Sequence, residues 1–280
     1  MLEENVFESL RLPAAPRIVL QRSPLALALC QVRFSSILGV AESAFVAPFQ
    51  RAIQDRYPIA TLTNQVQLLL GVGMNQAAVQ QQLGPQQWTF SDREDIWKIV
   101  LTQDFLSIET RLYNHFDEFM DRLRLAITAL IEHIRPSLVT RLGLRYINEI
   151  RVDDEPWTGI IEPQMLGLLT SQEFASNSLQ AIQEVQLRYR GESGINIHQG
   201  LLPRGTTVPP RAGAVVPEGP FYLLDFDVFR EYPLPRGLPV EADTIYQQSE
   251  LYHDVIYRLF RWSVTDRYLS MCGVQHDDVD

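Results

Sequence analysis

The sequence predicts an α+β protein with two similar halves, each an antiparallel sheet packed against a long helix. Short apolar segments follow one another at turn-length spacing in both halves, which is typical of antiparallel strands. Two long segments, residues 114–135 and 243–269, repeat apolar residues at helical spacing. Each long helix follows a run of strands, so the same order of elements occurs twice.

Composition sets the class of protein. The chain has 280 residues, is 46% hydrophobic and 21% charged, and is large enough for two ordinary domains. It has neither an apolar run of about 20 residues nor a secretory leader, so we expect a cytoplasmic protein without membrane association. Two cysteines are too few for a disulfide framework or a thiolate metal cluster. The formal charge of -10 disfavours, but does not exclude, nucleic-acid binding.

The first half opens with a proline-containing arm, residues 1–22, which lacks a sustained period. Residues 25–34 are mainly apolar and predict a buried strand. Residues 42–56 carry apolar side chains at helical spacing and end before a proline, so they predict a helix. A further apolar strand is predicted at 66–72. The amides, glycine and proline of residues 75–87 then indicate a loop or a variable insertion.

A meander and a helix complete this half. Three short strands are predicted at 88–90, 95–101 and 105–112, with turn residues between them. The helix at 114–135 begins with an asparagine as its cap, carries acids in its first turn and stops before a proline. Residues 139–150 return as a strand and close the half, which spans residues 23–150.

The second half, residues 151–280, repeats this order more loosely and ends in a short acidic tail. An irregular leucine-rich region predicts short helical turns, alternating segments predict three strands, and a Pro/Gly-rich loop is the best candidate for a mobile element. In chain order these elements are the turns at 157–174, strands at 181–190 and 195–202, the loop at 203–220, a strand at 221–231, and the helix at 243–269.

The strand Arg141–Ile150 (RLGLRYINEI) carries charged groups in the middle of the predicted sheet. Burying an unpaired charge is costly, so these groups need partners. One solution is an ion pair in which Arg145 meets Glu109 of a neighbouring strand. The alternative is that Arg145 and Asn148 line a cleft and hold an anionic or amide-bearing ligand.

An acidic pair occurs in the strand at 221–231. Alternation places Asp225 and Asp227 on the same side, about 7 Å apart. Two carboxylates so placed, with His198 facing them from the preceding strand, could hold a divalent cation for phosphoryl chemistry. Alternatively, the acids pair with Arg188 and Arg190. No motif of a resident metal or cofactor supports the first interpretation, so no cofactor is expected.

The terminal helix carries a second polar cluster. His253 and Tyr257 lie four residues apart on one helix face, where they could form a general-acid pair or an ordinary hydrogen-bonded surface. The sequence contains no Walker A motif and no G-x-S-x-G elbow. Nucleotide binding and serine hydrolase chemistry therefore have no support.

Three motifs carry a resemblance to a known family. They are the strand RLGLRYIN, the later strand with its acidic DFD centre, and the terminal helix LYH...VTD. Together they resemble a sporadically distributed, uncharacterised bacterial protein family of about this length, over residues 13–273. The resemblance implies no catalytic residues. Sporadic distribution implies a role in mobile-element biology or phage defence.

Three functions follow as hypotheses. The first is a non-enzymatic binding or interaction protein of a bacterial accessory system, of the phage-defence or toxin–antitoxin type. Its partner would be another protein or a second copy of the same chain. The second is a metal-dependent nuclease or phosphoesterase that uses Asp225, Asp227 and His198. The third is a small-molecule sensor with a helix-covered cavity around Trp97, Tyr146 and Phe119.

Overall fold

A computed structural model describes residues 6–73, 76–152, 155–205 and 219–276. It has the predicted antiparallel α+β character, with one large sheet and a few helices. The helices are α1 (Ser43–Ile53), α2 (Phe116–Ala129), α3 (Pro163–Leu166), α4 (Gln172–Asn177), α5 (Ala242–Ser263) and α6 (Asp266–Met271). The strands are β1 (Ile18–Leu20), β2 (Leu25–Phe34), β3 (Ile59–Gly73), β4 (Gln76–Ser91), β5 (Trp97–Leu101), β6 (Phe105–Thr110), β7 (Leu138–Ile150), β8 (Ala181–Arg188), β9 (Ser193–Leu202), β10 (Phe221–Glu231), β11 (Leu238–Pro239) and β12 (Val274–His276).

The large sheet is continuous through both predicted halves. Its strand order is β3-β4-β5-β6-β2-β7-β10-β9-β8, with every pair antiparallel and with β11 added beside β7. At its centre β2 pairs with β7, which sets Cys30 opposite Leu144 and Ala28 opposite Tyr146. The halves therefore share one sheet, and their similarity stays a prediction.

The long helices α2 and α5 pack on one face of this sheet. Phe119 and Leu123 of α2 join Val255 and Leu259 of α5 in one buried apolar cluster with strand residues such as Leu144. This packing buries the apolar stripe that the sequence predicts for each helix. The cluster is the main core of the protein.

The boundaries of the helices differ from the prediction in two places. Asn114 does not cap α2, because its side chain donates to Glu118 and the capping position falls on His115. After α2 the chain makes a π-helical turn (Leu130–Ile134) before Pro136. The predicted helix at 243–269 is two helices, because Val264 is extended and the hydroxyl of Thr265 caps α6 by accepting from the backbone N–H of Tyr268.

The predicted loop at 75–87 is wrong where the structure describes it, since residues 76–91 form β4 and pair with β3 in a long hairpin. The cross-strand ladder overrides the weak strand preference of glutamine, glycine and proline. The short helical turns predicted at 157–174 are present as α3, α4 and 3-10 turns. Most of the predicted mobile loop, residues 206–218, and the acidic tail at 277–280 lie outside the described residues.

The N-terminal residues lie along α5. Phe7 is buried between the rings of Tyr189 and Tyr252, and the hydroxyl of Tyr257 donates to the carbonyl of Pro16 at 2.6 Å. Next along the chain, β1 pairs with β12 in a separate two-stranded sheet. Among the helices of the described residues, none has both the length and the apolar character needed to cross a membrane.

Candidate binding site on the polar face of the sheet

The sheet face that points away from α2 and α5 carries the charged side chains. Strand alternation explains this, because Leu144 and Phe226 belong to the core while Arg145, Asp225 and Asp227 have the opposite parity. We call this surface the polar face. Its main polar side chains are Gln31, Arg33, Glu109, Arg141, Arg145, Glu184, Asn196, His198, Asp225 and Asp227.

Arg145 and Asp225 form a bidentate ion pair at the centre of the polar face. Nε of Arg145 donates to Oδ1 of Asp225 at 2.8 Å, and Nη2 donates to Oδ2 at 2.6 Å. The Asp225 side chain is only 3% exposed, whereas that of Arg145 is 36% exposed. The bond to Asp225 raises the pKa of the Arg145 guanidinium above its ordinary value. A buried carboxylate thus holds a guanidinium whose outer edge reaches solvent.

His198 lies beside Asp225, and Glu184 lies beside His198. Nδ1 of His198 lies 3.4 Å from Oδ2 of Asp225, and Nε2 of the same ring lies 3.6 Å from Oε1 of Glu184. The register sets Asp225, His198 and Glu184 side by side on three adjacent strands. These residues form one row across the second half of the sheet, in which an imidazole lies between two carboxylates.

A second ion pair joins Arg141 to Asp227. Nη2 of Arg141 donates to Oδ2 of Asp227 at 2.8 Å, and Nδ2 of Asn196 donates to the same oxygen at 3.2 Å. The guanidinium of Arg141 also lies over the ring of Phe229, 4.5 Å from its centroid. These contacts fix the Arg141 side chain in two directions.

Gly143 leaves room for Arg141. A Cβ atom at this position would lie 2.8 Å from Nη1 of Arg141, which is closer than a carbon tolerates. Gly143 is also the register partner of Phe229 on one side and of Gln31 on the other. The glycine therefore provides a flat floor on which the guanidinium lies.

A pocket of about 350 Å³ lies above this floor. Its polar lining consists of three arginines, two carboxylates and one amide, contributed by β2, β7 and β10. These residues are Gln31, Arg33, Arg141, Arg145, Asp227 and Glu231. We call this site the arginine pocket.

The predicted cluster of Arg145, Asn148 and Glu109 does not form. Strand β2 separates β7 from β6, so Leu29 lies between Arg145 and Glu109, and the partner of Arg145 is Asp225. Asn148 belongs to the opposite side of the sheet, where it is buried and its Nδ2 donates to the carbonyl of Leu224. Glu109 is partly buried on the polar face, and that burial raises the pKa of its carboxyl.

The predicted metal ligands do lie on one face. However, Asp225 and Asp227 both accept hydrogen bonds from arginines, and the arginines are Arg145 and Arg141 rather than the predicted Arg188 and Arg190. Within the part of the chain that the structure describes, no group of three His, Cys, Asp or Glu side chains could hold a metal ion. The arrangement at Asp225 is that of an ion-pair network.

His253 and Tyr257 each have other partners. Nδ1 of His253 lies 3.0 Å from the hydroxyl of Tyr146, and its ring stacks on Phe116 with centroids 3.9 Å apart. Burial lowers the pKa of His253 to about 4, with a smaller contribution from the charge of Arg17. The hydroxyl of Tyr257 donates to the carbonyl of Pro16 in the N-terminal segment. The two rings do not act as a pair, and their centroids are 6.4 Å apart.

A second pocket of about 350 Å³ lies beside His253, between α2 and α5. The sequence predicts a cavity around Trp97, Tyr146 and Phe119, but these side chains are buried in the core, with the rings of Trp97 and Phe119 5.9 Å apart. The second pocket is lined instead by polar groups of the helices and the arm, including Asp117, Asp121 and Arg124.

Sequence reasoning missed two residues of the arginine pocket. Gln31 and Arg33 are the only polar side chains of the strand LALALCQVRF, and their spacing of two places them on one side. That spacing was a usable signal. The spacing alone does not show that these residues join the pocket, because that depends on β2 lying next to β7, where Arg33 is opposite Arg141.

Neither the models of known protein families nor the curated proteins give a match to this chain.

Proposed function

We propose that this chain is a non-enzymatic interaction protein of a bacterial accessory system, of the phage-defence or toxin–antitoxin type, and that its polar face binds a protein partner. The bacterial setting rests on the resemblance of the three sequence motifs. The binding role rests on the polar face. Its single strongest support is the arginine pocket, in which fixed charged side chains reach solvent.

The pairing of the charged groups favours binding over catalysis. A general base or a metal ligand needs a carboxylate that is available to the substrate or to the ion. Here Asp225 is 3% exposed and is held at both oxygens by Arg145, while Asp227 is held by Arg141 and Asn196. Such pairs orient the arginines, as a recognition surface requires.

The mixed charge of the polar face suits a protein partner. Arg33, Arg145 and Glu231 line the arginine pocket, and Glu184 lies on β8 of the same face, so both signs of charge are presented across a few strands. Charge complementarity of this kind selects partners and sets their orientation. The net charge of -10 makes the phosphate backbone of a nucleic acid a poorer partner.

The test uses the product of a neighbouring gene as the candidate partner, together with a matched pair of variants. Arg33→Glu reverses a charge in the arginine pocket, and Arg51→Glu reverses an exposed charge on α1, away from the polar face. The protein encoded beside this gene is purified and titrated against wild type and both variants by calorimetry, and light scattering tests self-association. We expect Arg33→Glu to weaken binding at least about tenfold, the effect of losing one charge-assisted contact. Equal binding by the two variants would overturn the proposal.

The two alternative functions have separate tests. A metal-dependent phosphoesterase would bind Mn²⁺ and would lose it in the double variant Asp225→Ala, Asp227→Ala. A small-molecule sensor would melt at a higher temperature with its ligand, because a ligand that binds only the folded state stabilises it. The pocket beside His253 is the site to follow in that screen.

We also propose that the two halves are similar units. From the central pairing outwards, one unit runs β2, β6, β5, β4, β3 and the other runs β7, β10, β9, β8, so β7 opens the second unit, whereas the sequence pattern predicts that it closes the first half. In each half the opening strand lies at the centre, the last strand of the meander pairs with it, and a long helix follows. Superposition of experimentally determined coordinates is expected to place β2 on β7, β6 on β10 and α2 on α5.

A further inference from the structure

Two arginines face each other across the centre of the sheet. In the register of β2 and β7, Arg33 is the direct neighbour of Arg141. Like charges placed opposite each other destabilise a sheet. Asp227 forms an ion pair with Arg141. Arg33 instead donates from Nε to Oε1 of Gln31 at 3.0 Å, and this amide carries no charge. In the described part of the chain no carboxylate pairs with Arg33, so its charge is available to a ligand.

Arg141 and Arg145 keep N–H donors that no acceptor among the described residues takes. Asp225 takes Nε and one Nη of Arg145, and Asp227 takes one Nη of Arg141. A guanidinium has five N–H donors in a planar fork, so both side chains keep donors for another acceptor. Because their carboxylate partners hold them, these arginines lose little conformational freedom when a ligand binds.

The charge of the lining selects the ligand. Three guanidinium groups and two carboxylates line the pocket, and Asp225, which holds Arg145, brings the local formal charge to zero. A carboxylate can meet the charge of Arg33 with a single negative charge, whereas a phosphate dianion would be repelled about twice as strongly by Asp227 and Glu231. A volume of about 350 Å³ also suits a single side chain better than a large cofactor.

We propose that the arginine pocket is a carboxylate-recognition site, which binds a glutamate or aspartate side chain of the protein partner. The proposal rests on the proposed function and names the chemistry of its partner. Arg33 supplies the unpaired charge, and Arg141 and Arg145 supply oriented N–H donors. Gly143 keeps the floor open for the guanidinium of Arg141.

The test is an NMR titration of the full chain that follows the arginine Nε–Hε signals. The probes are a blocked pentapeptide with a central glutamate, the same peptide with glutamine, and inorganic phosphate. We expect the glutamate peptide to cause saturable chemical-shift changes at the pocket arginines. The glutamine peptide is expected to bind at least about tenfold more weakly, because it lacks one charge-assisted contact. Absence of saturable shifts, or tighter binding of phosphate, would overturn the assignment.

Three variants locate the site. Arg33→Gln removes the unpaired charge and is expected to weaken the glutamate peptide about tenfold or more. Gly143→Ala keeps every charge but displaces Arg141, so it is expected to weaken the peptide as well. Arg51→Gln, on α1, is expected to bind like wild type. Equal affinity of Arg33→Gln and Arg51→Gln would place the peptide outside the pocket and refute the proposal.

The two proposals can fail separately. If the partner still depends on Arg33 while the glutamate peptide shows no preference over glutamine, only the carboxylate assignment is lost. If the glutamate peptide binds at the pocket but Arg33→Glu leaves the affinity for the partner unchanged, the proposed function is refuted. The pocket would then recognise carboxylates for another purpose.

Discussion

Removal of Arg145 is expected to destabilise the protein more than removal of Asp225, although the two residues form one ion pair. In Arg145→Met the Asp225 carboxylate, 3% exposed, loses both hydrogen bonds from the guanidinium. Leaving one buried charge uncompensated costs about 3–5 kcal/mol. In Asp225→Ala the guanidinium of Arg145, 36% exposed, can be hydrated, so the loss is about 1.5–3 kcal/mol for its charge-assisted bonds.

Urea unfolding of the two variants measures this asymmetry. In thermal unfolding, at roughly 2–4 °C per kcal/mol for a chain of this size, a loss of about 3–5 kcal/mol lowers the melting temperature of Arg145→Met by about 6–20 °C. The control is Arg267→Met, which breaks an ion pair in which Nη2 of Arg267 donates to both carboxylate oxygens of Glu155. This arginine is 57% exposed, so the substitution is expected to cost less than about 1 kcal/mol. Equal losses in the two central variants, or a larger loss in Asp225→Ala, would refute the reasoning from burial.

Three further predictions concern other parts of the protein. His253 has its pKa lowered to about 4, below about 6.5 in the unfolded chain, so its contribution to stability is complete above pH 6.5 and is lost as pH falls to 4. Unfolding at a series of pH values is expected to show this decline in wild type and a smaller one in His253→Gln. A Cβ on Gly200, at φ +140, would lie 1.9 Å from the carbonyl oxygen of Ala181, so Gly200→Ala is expected to cost more than about 3 kcal/mol in a melting experiment. Gly205→Ala, at φ +73 with open space around it, is expected to cost about 1 kcal/mol, and equal melting of the two would contradict the steric argument. Burial raises the pKa of Cys30 to about 12, so iodoacetamide is expected to label this thiol only after unfolding, and rapid labelling of the native protein would contradict it.

Local pattern predicted much of the fold. The alternation in Arg141–Ile150 placed Arg145 on the side opposite Leu144, and helical spacing gave the apolar stripe of α2. These features depend on residues close in the sequence, whose periods of 2 and 3.6 are visible in one chain. The antiparallel α+β class follows from the same signals.

Strand order could not be predicted in this way. The pairing of Arg145 with Asp225 rather than Glu109 depends on β2 lying between β6 and β7, which no local pattern states. The glutamine-rich β4 was missed because its pairing, and not its composition, makes it a strand. The end of α5 was missed although Thr265 and Asp266 are typical of a new helix start.

The central pairing of β2 with β7 affects how the protein can be synthesised and divided. On the ribosome, β7 can pair with β2 as soon as residue 150 has emerged, but its other edge stays unpaired until β10 has been made. An unpaired strand edge is a template for aggregation. A fragment cut at residue 150 would keep that edge open and would separate Arg141 and Arg145 from their carboxylates. The boundary between the sequence halves is therefore a poor place to cut the protein, because it divides the sheet at its most highly charged row.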